Sequence, residues 1–299
     1  MFEGLASTRI GMSMARGLGR AIPRTMADRI VSLAASRLIA DAGSGLVRAS
    51  RINQWVVSGG VLSGAALDAA VEANIREMAR LHYDLYHVLG DRTAEDASVV
   101  IDDAFEALVE RERAGEGPFV YVGAHLGNFD IVGRVLGFHG WRMQILSVPE
   151  PTDAYRWQNE LREQAGHTLT PVSLEALKTA ARGLAEGRSV LTGLDRPLPE
   201  PDKAMPRFFG RPAPLPLLHV RLAMRAACPV VVLAAPRTDD GRYRLQASPP
   251  IHMEPGAQTP ELLAENAERC LAHVEEWVSA APALWAMPHI VWPDVPVPD

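Results

Sequence analysis

The stretch VYVGAHLGNFDIVG sets His125 at the end of an apolar run and Asp130 five residues later. The run reads as a buried strand, and GNFDIVGRVLGF after it as a helix, so Asp130 falls in the first helical turn. Strand C-terminal ends are where open α/β sheets build their sites. A neutral imidazole suits the removal of a hydroxyl proton at pH 7, as when an alcohol oxygen attacks the carbonyl of a thioester. A helix N-terminus beside it disfavours extra positive charge and helps keep the ring neutral at rest. Asp130 is expected to accept the hydrogen bond of the second ring nitrogen, fixing the tautomer and offsetting the imidazolium formed during transfer. The substrate hydroxyl would then stand where a serine enzyme has its own. Taken alone the spacing has a plainer reading, because an aspartate in a first helical turn often only stabilises the helix end.

Other chemistries find little support. The chain has no GxSxG elbow and no Walker-type loop, which counts against an α/β-hydrolase or an ATP enzyme. His82 and His87 lie in the helical pattern RLHYDLYHVLG and form no metal-ligand set with a cysteine or carboxylate cluster. No metal and no permanently bound cofactor is expected. His219 and His289 read as packing or capping histidines. Cys228 and Cys270, without metal-ligand spacing, point to a reduced, cytoplasmic interior and not to a disulfide framework.

The elements that must position His125 alternate from Pro118 onward. Apolar runs at PFVYVGAH, WRMQILSVP, HTLTPV, RSVLTGLD, CPVVVLAAPR and RYRLQASPP read as strands. Helical patterns separate the first four, TDDG makes a hairpin-type turn between the last two, and TPELLAENAERCLAHVEEWVSA closes as a helix. The predicted fold is α/β, a central mixed sheet covered by helices. Ahead of it, helices are expected over 28–40, 65–89 and 94–113. The expected organisation is a helical N-terminal region, 1–115, packed on an α/β core, 116–299.

Charge is distributed unevenly. Through Arg51 there are eight arginines against Glu3, Asp28 and Asp41, a net of +5 on a chain whose total is −6. A basic leader on an acidic body predicts attraction to an anionic membrane surface and makes nucleic acid an improbable partner. Over residues 9 to 24, Ile10, Met14, Leu18 and Ile22 share one side of a helix and Arg9, Arg16, Arg20 and Arg24 another. Such a helix can lie between lipid headgroups, or pack on its own domain with a solvated arginine face. No run approaches the roughly 20 apolar residues of a spanning helix, and the start lacks a secretory h-region. A peripheral place on the cytoplasmic face of the cell membrane is therefore expected.

AHLGNFD resembles the His-x4-Asp/Glu signature of the bacterial late lipid A acyltransferases and the related phosphatidylinositol mannoside acyltransferases. Further blocks follow in the same order. LREQAG, with Arg162, resembles a block whose arginine points into the site. LTGLDRPLPE resembles a strand ending in a polar pair, here Asp195 and Arg196. RFFGRPA, the strand-hairpin CPVVVLAAPRTDDGRYRLQASPPI, and APALWAMPHIVW, with Pro282, Trp285 and His289, resemble the blocks after it. The resemblance spans about Pro118 to Trp292. It implies an acyltransferase core of the glycerolipid type, with His125 as base and Asp130 orienting it. The donor would be an acyl-CoA or acyl-carrier-protein thioester, the acceptor a hydroxyl of a membrane glycolipid or phospholipid, and no covalent acyl-enzyme would form. Arg162, Asp195 and Arg196 would bind substrate, the arginines through phosphate groups that suit a guanidinium fork. The segment PLPLLHVRLA after RFFGRPA departs from the family pattern and is expected to reshape a substrate pocket. A catalytically weak lipid-binding relative, or a thioester or lipid hydrolase using the same base on water, are the alternatives.

Overall fold

The computed structural model describes residues 22–41, 43–199 and 203–299. The leader helix expected over 9 to 24 lies, up to residue 21, outside them. Pro23 cannot continue a preceding helix and instead precedes a new one, α1, Arg24–Ile39. Two more helices, α2 (Gly45–Val57) and α3 (Gly64–Val88), complete an N-terminal helical layer. The helix expected over 94–113 is instead α4 (Arg92–Ala97), a short strand β1 (Val99–Ile101) and α5 (Asp103–Arg113). Ser98 ends α4, and the Asp102 carboxylate accepts the Phe105 N–H to start α5, so the helical pattern is broken by caps on either side of three β-branched residues.

From there strand and helix alternate as expected: β2 (Val120–Gly127), α6 (Phe129–Phe138), β3 (Gln144–Ser147), α7 (Asp153–Gln164), β4 (Thr168–Pro171), α8 (Leu174–Ala185) and β5 (Val190–Gly193). A two-residue hairpin pair, β6 (Arg207–Phe208) and β7 (Arg211–Pro212), precedes α9 (Leu218–Ala226), β8 (Val230–Ala235), β9 (Tyr243–Ala247) and α10 (Pro260–Ala280). Seven strands form one sheet in the order β1-β9-β8-β2-β5-β3-β4. All neighbours are parallel except the β8–β9 hairpin, so the sheet is mixed.

β2 is central and buried on both faces. Val120, Val122, Ala124 and Leu126 join a core with α8, α9 and α10, while Phe119 and Tyr121 join one with α3, α5, α6 and α7. The period of two places Gly123 and His125 on the second face, above Tyr121.

The helical layer is tied to the far end of the chain through buried amides. Asn53 donates to the Met287 and His289 carbonyls and accepts from the Val291 N–H; Asn74 donates to the Ala283 and Trp285 carbonyls; Gln54 donates to Pro282. The segment after α10 has few backbone partners of its own, and these side chains satisfy it.

Candidate active site

β2 does not run straight to its end. Its register with β8 shifts between Gly123 and Gly127, a bulge that bends the strand at His125. Gly127 has φ 77, and a Cβ there would sit 1.8 Å from the Ala235 carbonyl oxygen. Only glycine allows this crossing onto β8. Asn128 then caps α6, accepting from the Ile131 N–H and donating to the Leu81 carbonyl of α3.

β2 and β5 pair in parallel with Gly123 opposite Gly193. Two residues on from each, His125 and Asp195 come together at the strand ends. His125 Nδ1 lies 2.6 Å from Asp195 Oδ1, and the His125 backbone N–H donates to Oδ2 at 2.8 Å. A carboxylate only accepts, so Nδ1 carries the proton and Nε2 presents its lone pair. Nε2 has no hydrogen-bond partner among the described residues. The Trp285 indole N–H donates to Asp195 Oδ2 at 2.9 Å, and the Ala286 N–H donates to the His125 carbonyl at 2.7 Å. Asp195 is fully buried, whereas the His125 side chain keeps 22% exposure. Burial pushes the Asp195 carboxyl up, but the His125 charge and the hydrogen bonds from His125 and Trp285 outweigh it and hold the group below the usual carboxylate range.

The expected pairing of Asp130 with His125 is therefore not what the structure has. Asp130 does sit in the first turn of α6, but its Oδ1 accepts from Arg162 Nε at 2.9 Å and Nη2 at 2.7 Å. Arg162 also donates to Asn159 Oδ1 at 3.0 Å and stands over the Phe129 and Tyr155 rings. Its fork is occupied by a carboxylate, not open to a phosphate, and it joins α6 to α7. Asp195, expected to bind substrate, is instead the ring's partner. Arg196 also stands over the Tyr155 ring, its Cζ 5.6 Å from the centroid, and has no carboxylate partner among the described residues. His289 is close enough to Arg196 and His125 to feel both: burial first, then these two, push its pKa down.

Below His125 a cavity of about 130 Å³ runs between the sheet and α6. Leu191, Leu233, Leu245 and Ile145 line it from the sheet, Val132 and Leu136 from α6, and Trp141 and His167 farther from His125 along α6. Its walls are mostly apolar. His167 Nε2 donates to the Gly133 carbonyl at 2.8 Å, and burial holds its pKa down, so it lines the cavity as a neutral ring.

A histidine with its proton side fixed by a buried carboxylate, at the end of an apolar slot on the strand C-terminal ends, fits transfer of a group with a hydrocarbon tail. A model of the bacterial lipid A biosynthesis acyltransferase family matches residues 20–293. The chain belongs to that family. It is an acyltransferase of lipid biosynthesis, and the match covers the helical layer as well as the sheet. No curated protein matches this acyltransferase. Among the described residues no group of three or more His, Cys, Asp or Glu side chains could hold a metal ion.

Proposed function

We propose that the acyltransferase moves a fatty acyl group from a CoA or carrier-protein thioester to a hydroxyl of a membrane glycolipid, with His125 as general base and no covalent acyl-enzyme. The observation that carries this is the 2.6 Å contact of His125 Nδ1 with Asp195, which leaves Nε2 as the acceptor. Nε2 takes the hydroxyl proton as the acceptor oxygen bonds to the thioester carbonyl carbon. The C–S bond then breaks, and the thiolate takes the proton back from the imidazolium. Asp195 holds the tautomer and offsets the transient charge. Arg196, which has no carboxylate partner among the described residues, suits a phosphate of the donor or acceptor. Asp130, through Arg162, holds α6 against α7 and so positions the residues around the base.

A membrane location is part of the same proposal. Among the described residues no helix is long and apolar enough to cross a membrane. α1 buries Ala27 and Ala35 and leaves Met26, Ile30 and Leu33 about half exposed. At 100° per residue those three side chains form one stripe, with Arg29 and Arg37 beside it and exposed. Exposed apolar groups edged by arginine suit the headgroup region of an anionic bilayer, and in the sequence α1 follows the basic leader.

The deciding experiment is turnover of an acyl thioester with and without a glycolipid acceptor, by wild type and His125→Ala. Acceptor-dependent ester formation that falls by 10² or more in a folded His125→Ala protein supports the mechanism. Thioester loss without acceptor would make the chain a hydrolase, and near-normal transfer by the variant would remove His125 from the chemistry.

A further inference from the structure

Three glycines border the cavity below His125, and neither the backbone nor the packing requires them. Gly123 of β2 and Gly193 of β5 are register partners, and Gly133 lies in α6, one turn beyond Phe129. All three line the cavity. None has the positive φ that favours glycine. A Cβ on Gly123 or Gly133 would meet nothing within 4 Å, and one on Gly193 would meet only the His125 ring, at 3.9 Å. Glycine weakens a helix or strand interior relative to alanine, so each position gives up stability for empty space. The empty space is the same space for all three. Gly127 and Gly137 are different: there a Cβ would collide with backbone, at 1.8 Å from Ala235 O and 2.5 Å from Ala165 O.

The geometry points to Gly133, facing the Gly123–Gly193 pair, as the residue that sets how long an acyl chain this enzyme accepts. The inference rests on the proposed acyl transfer, and takes the apolar cavity below His125 as the slot for the donor's acyl chain. On the sheet side, the paired glycines remove the side chains that would otherwise stand directly below His125. On the helix side Gly133 leaves open space in the cavity that Leu136, Trp141 and His167 also line. The volume, about 130 Å³, is close to that of an engineered apolar cavity of about 150 Å³ that stays dry and takes up benzene. One side chain projecting from α6 at position 133 therefore fills a large share of it. A larger residue there shortens the usable slot while leaving His125, Asp195 and Trp285 untouched.

The test measures transfer from butyryl-, decanoyl- and palmitoyl-CoA by wild type, Gly133→Ala and Gly133→Leu. In the leucine variant the palmitoyl-to-butyryl rate ratio should fall at least tenfold, the lower end of what a few methylenes are worth in an apolar pocket. The alanine variant should show a smaller fall in the same ratio together with a higher Tm, because alanine favours the helix and its Cβ meets nothing. A glycine kept for folding would show the reverse, a lower Tm with the ratio unchanged, and that result overturns the inference; so does a folded leucine variant with the wild-type chain-length profile. If Gly133→Leu does not fold, the alanine ratio decides. Wild type that transfers none of the three chains, whether from CoA or from carrier protein, overturns the acyl-slot reading itself, and the inference with it.

Discussion

Trp285 donates its indole N–H to Asp195 Oδ2 at 2.9 Å, so the carboxylate that holds His125 is itself held from the last segment of the chain. The same segment donates the Ala286 N–H to the His125 carbonyl, and the α2 and α3 amides fix its course. A hydrogen bond to a charged group contributes about 1.5–3 kcal/mol. Trp285→Phe keeps most of the packing and removes that bond. It is expected to lower kcat roughly tenfold while the KM for the donor stays near wild type, because the residue positions the dyad and does not bind the thioester. An unchanged kcat in steady-state kinetics would show that the indole serves packing alone.

Asp195→Asn is expected to be the more damaging change. An amide can accept from Nδ1–H through its oxygen but does not offset the imidazolium, and the wrong tautomer becomes accessible. A fall of about 10²–10⁴ in kcat is expected on that ground. The double variant with His125→Ala should be little worse than His125→Ala alone, since the two side chains act as one unit. Additive losses in the double variant would separate their roles.

Asp130 and Arg162 make a different prediction, one about stability. Both side chains are nearly buried and each answers the other's charge. Removing one partner of such a pair leaves a buried charge alone and costs on the order of 3–5 kcal/mol. Asp130→Asn and Arg162→Gln should each lower the urea midpoint, and the double variant should lose clearly less than the two single losses combined. Chemical denaturation of the four proteins measures this. Asp130→Asn that keeps full stability and loses only turnover would return Asp130 to the chemistry.

Much of the fold was readable because the strands after Pro118 are short, apolar and punctuated by helix caps. The Nδ1 partner of His125 was harder to read. Asp195 lies 70 residues away, just past the end of the neighbouring strand β5, and local spacing singled out Asp130 instead. A signal for it existed: RSVLTGLD is a second apolar run ending in an acid, and parallel neighbours bring such ends together. α2 went unread for a physical reason. Its buried face carries Ser50, Asn53 and Gln54, which bind the carbonyls of the last segment, Asn74 and a backbone N–H, so apolar periodicity is broken where the helix is most buried. Nothing in the sequence sets the cavity's glycines apart from other glycines of strands and helices.

His219 makes the fold sensitive to acid. It is buried in the first turn of α9, neither ring nitrogen has a hydrogen-bond partner among the described residues, and burial pushes its pKa down from 6.5 to about 4. Below pH 6.5 the unfolded chain binds a proton that the folded chain does not, so stability falls as pH drops from about 6.5 to about 4. The loss across that window is on the order of 3 kcal/mol, at 1.36 kcal/mol per unit. His219→Leu removes this slope and the unpaired nitrogens. Urea midpoints at pH 7.5 and pH 5 should lie closer together in the leucine variant than in wild type. An equal gap in both proteins would show that other groups carry the acid sensitivity.

The proposed membrane attachment divides into two parts that salt can separate. The basic leader should contribute about 1 kcal/mol per arginine near an anionic surface, weakening within a Debye length of roughly 8 to 10 Å as salt is raised. The exposed stripe of Met26, Ile30 and Leu33 on α1 should contribute an apolar part that salt leaves in place. Replacing Arg9, Arg16, Arg20 and Arg24 with Gln should therefore shift protein from sedimenting liposomes to supernatant most strongly at low salt. Replacing Met26, Ile30 and Leu33 with Gln should remove the fraction that stays bound at high salt. Met26, Ile30 and Leu33 are exposed on α1, and all four arginines precede His125 in the sequence by a hundred residues or more, so activity on a detergent-dispersed acceptor should survive both sets. If the triple glutamine variant sediments with anionic liposomes as wild type does at every salt concentration, α1 presents its stripe to something other than lipid.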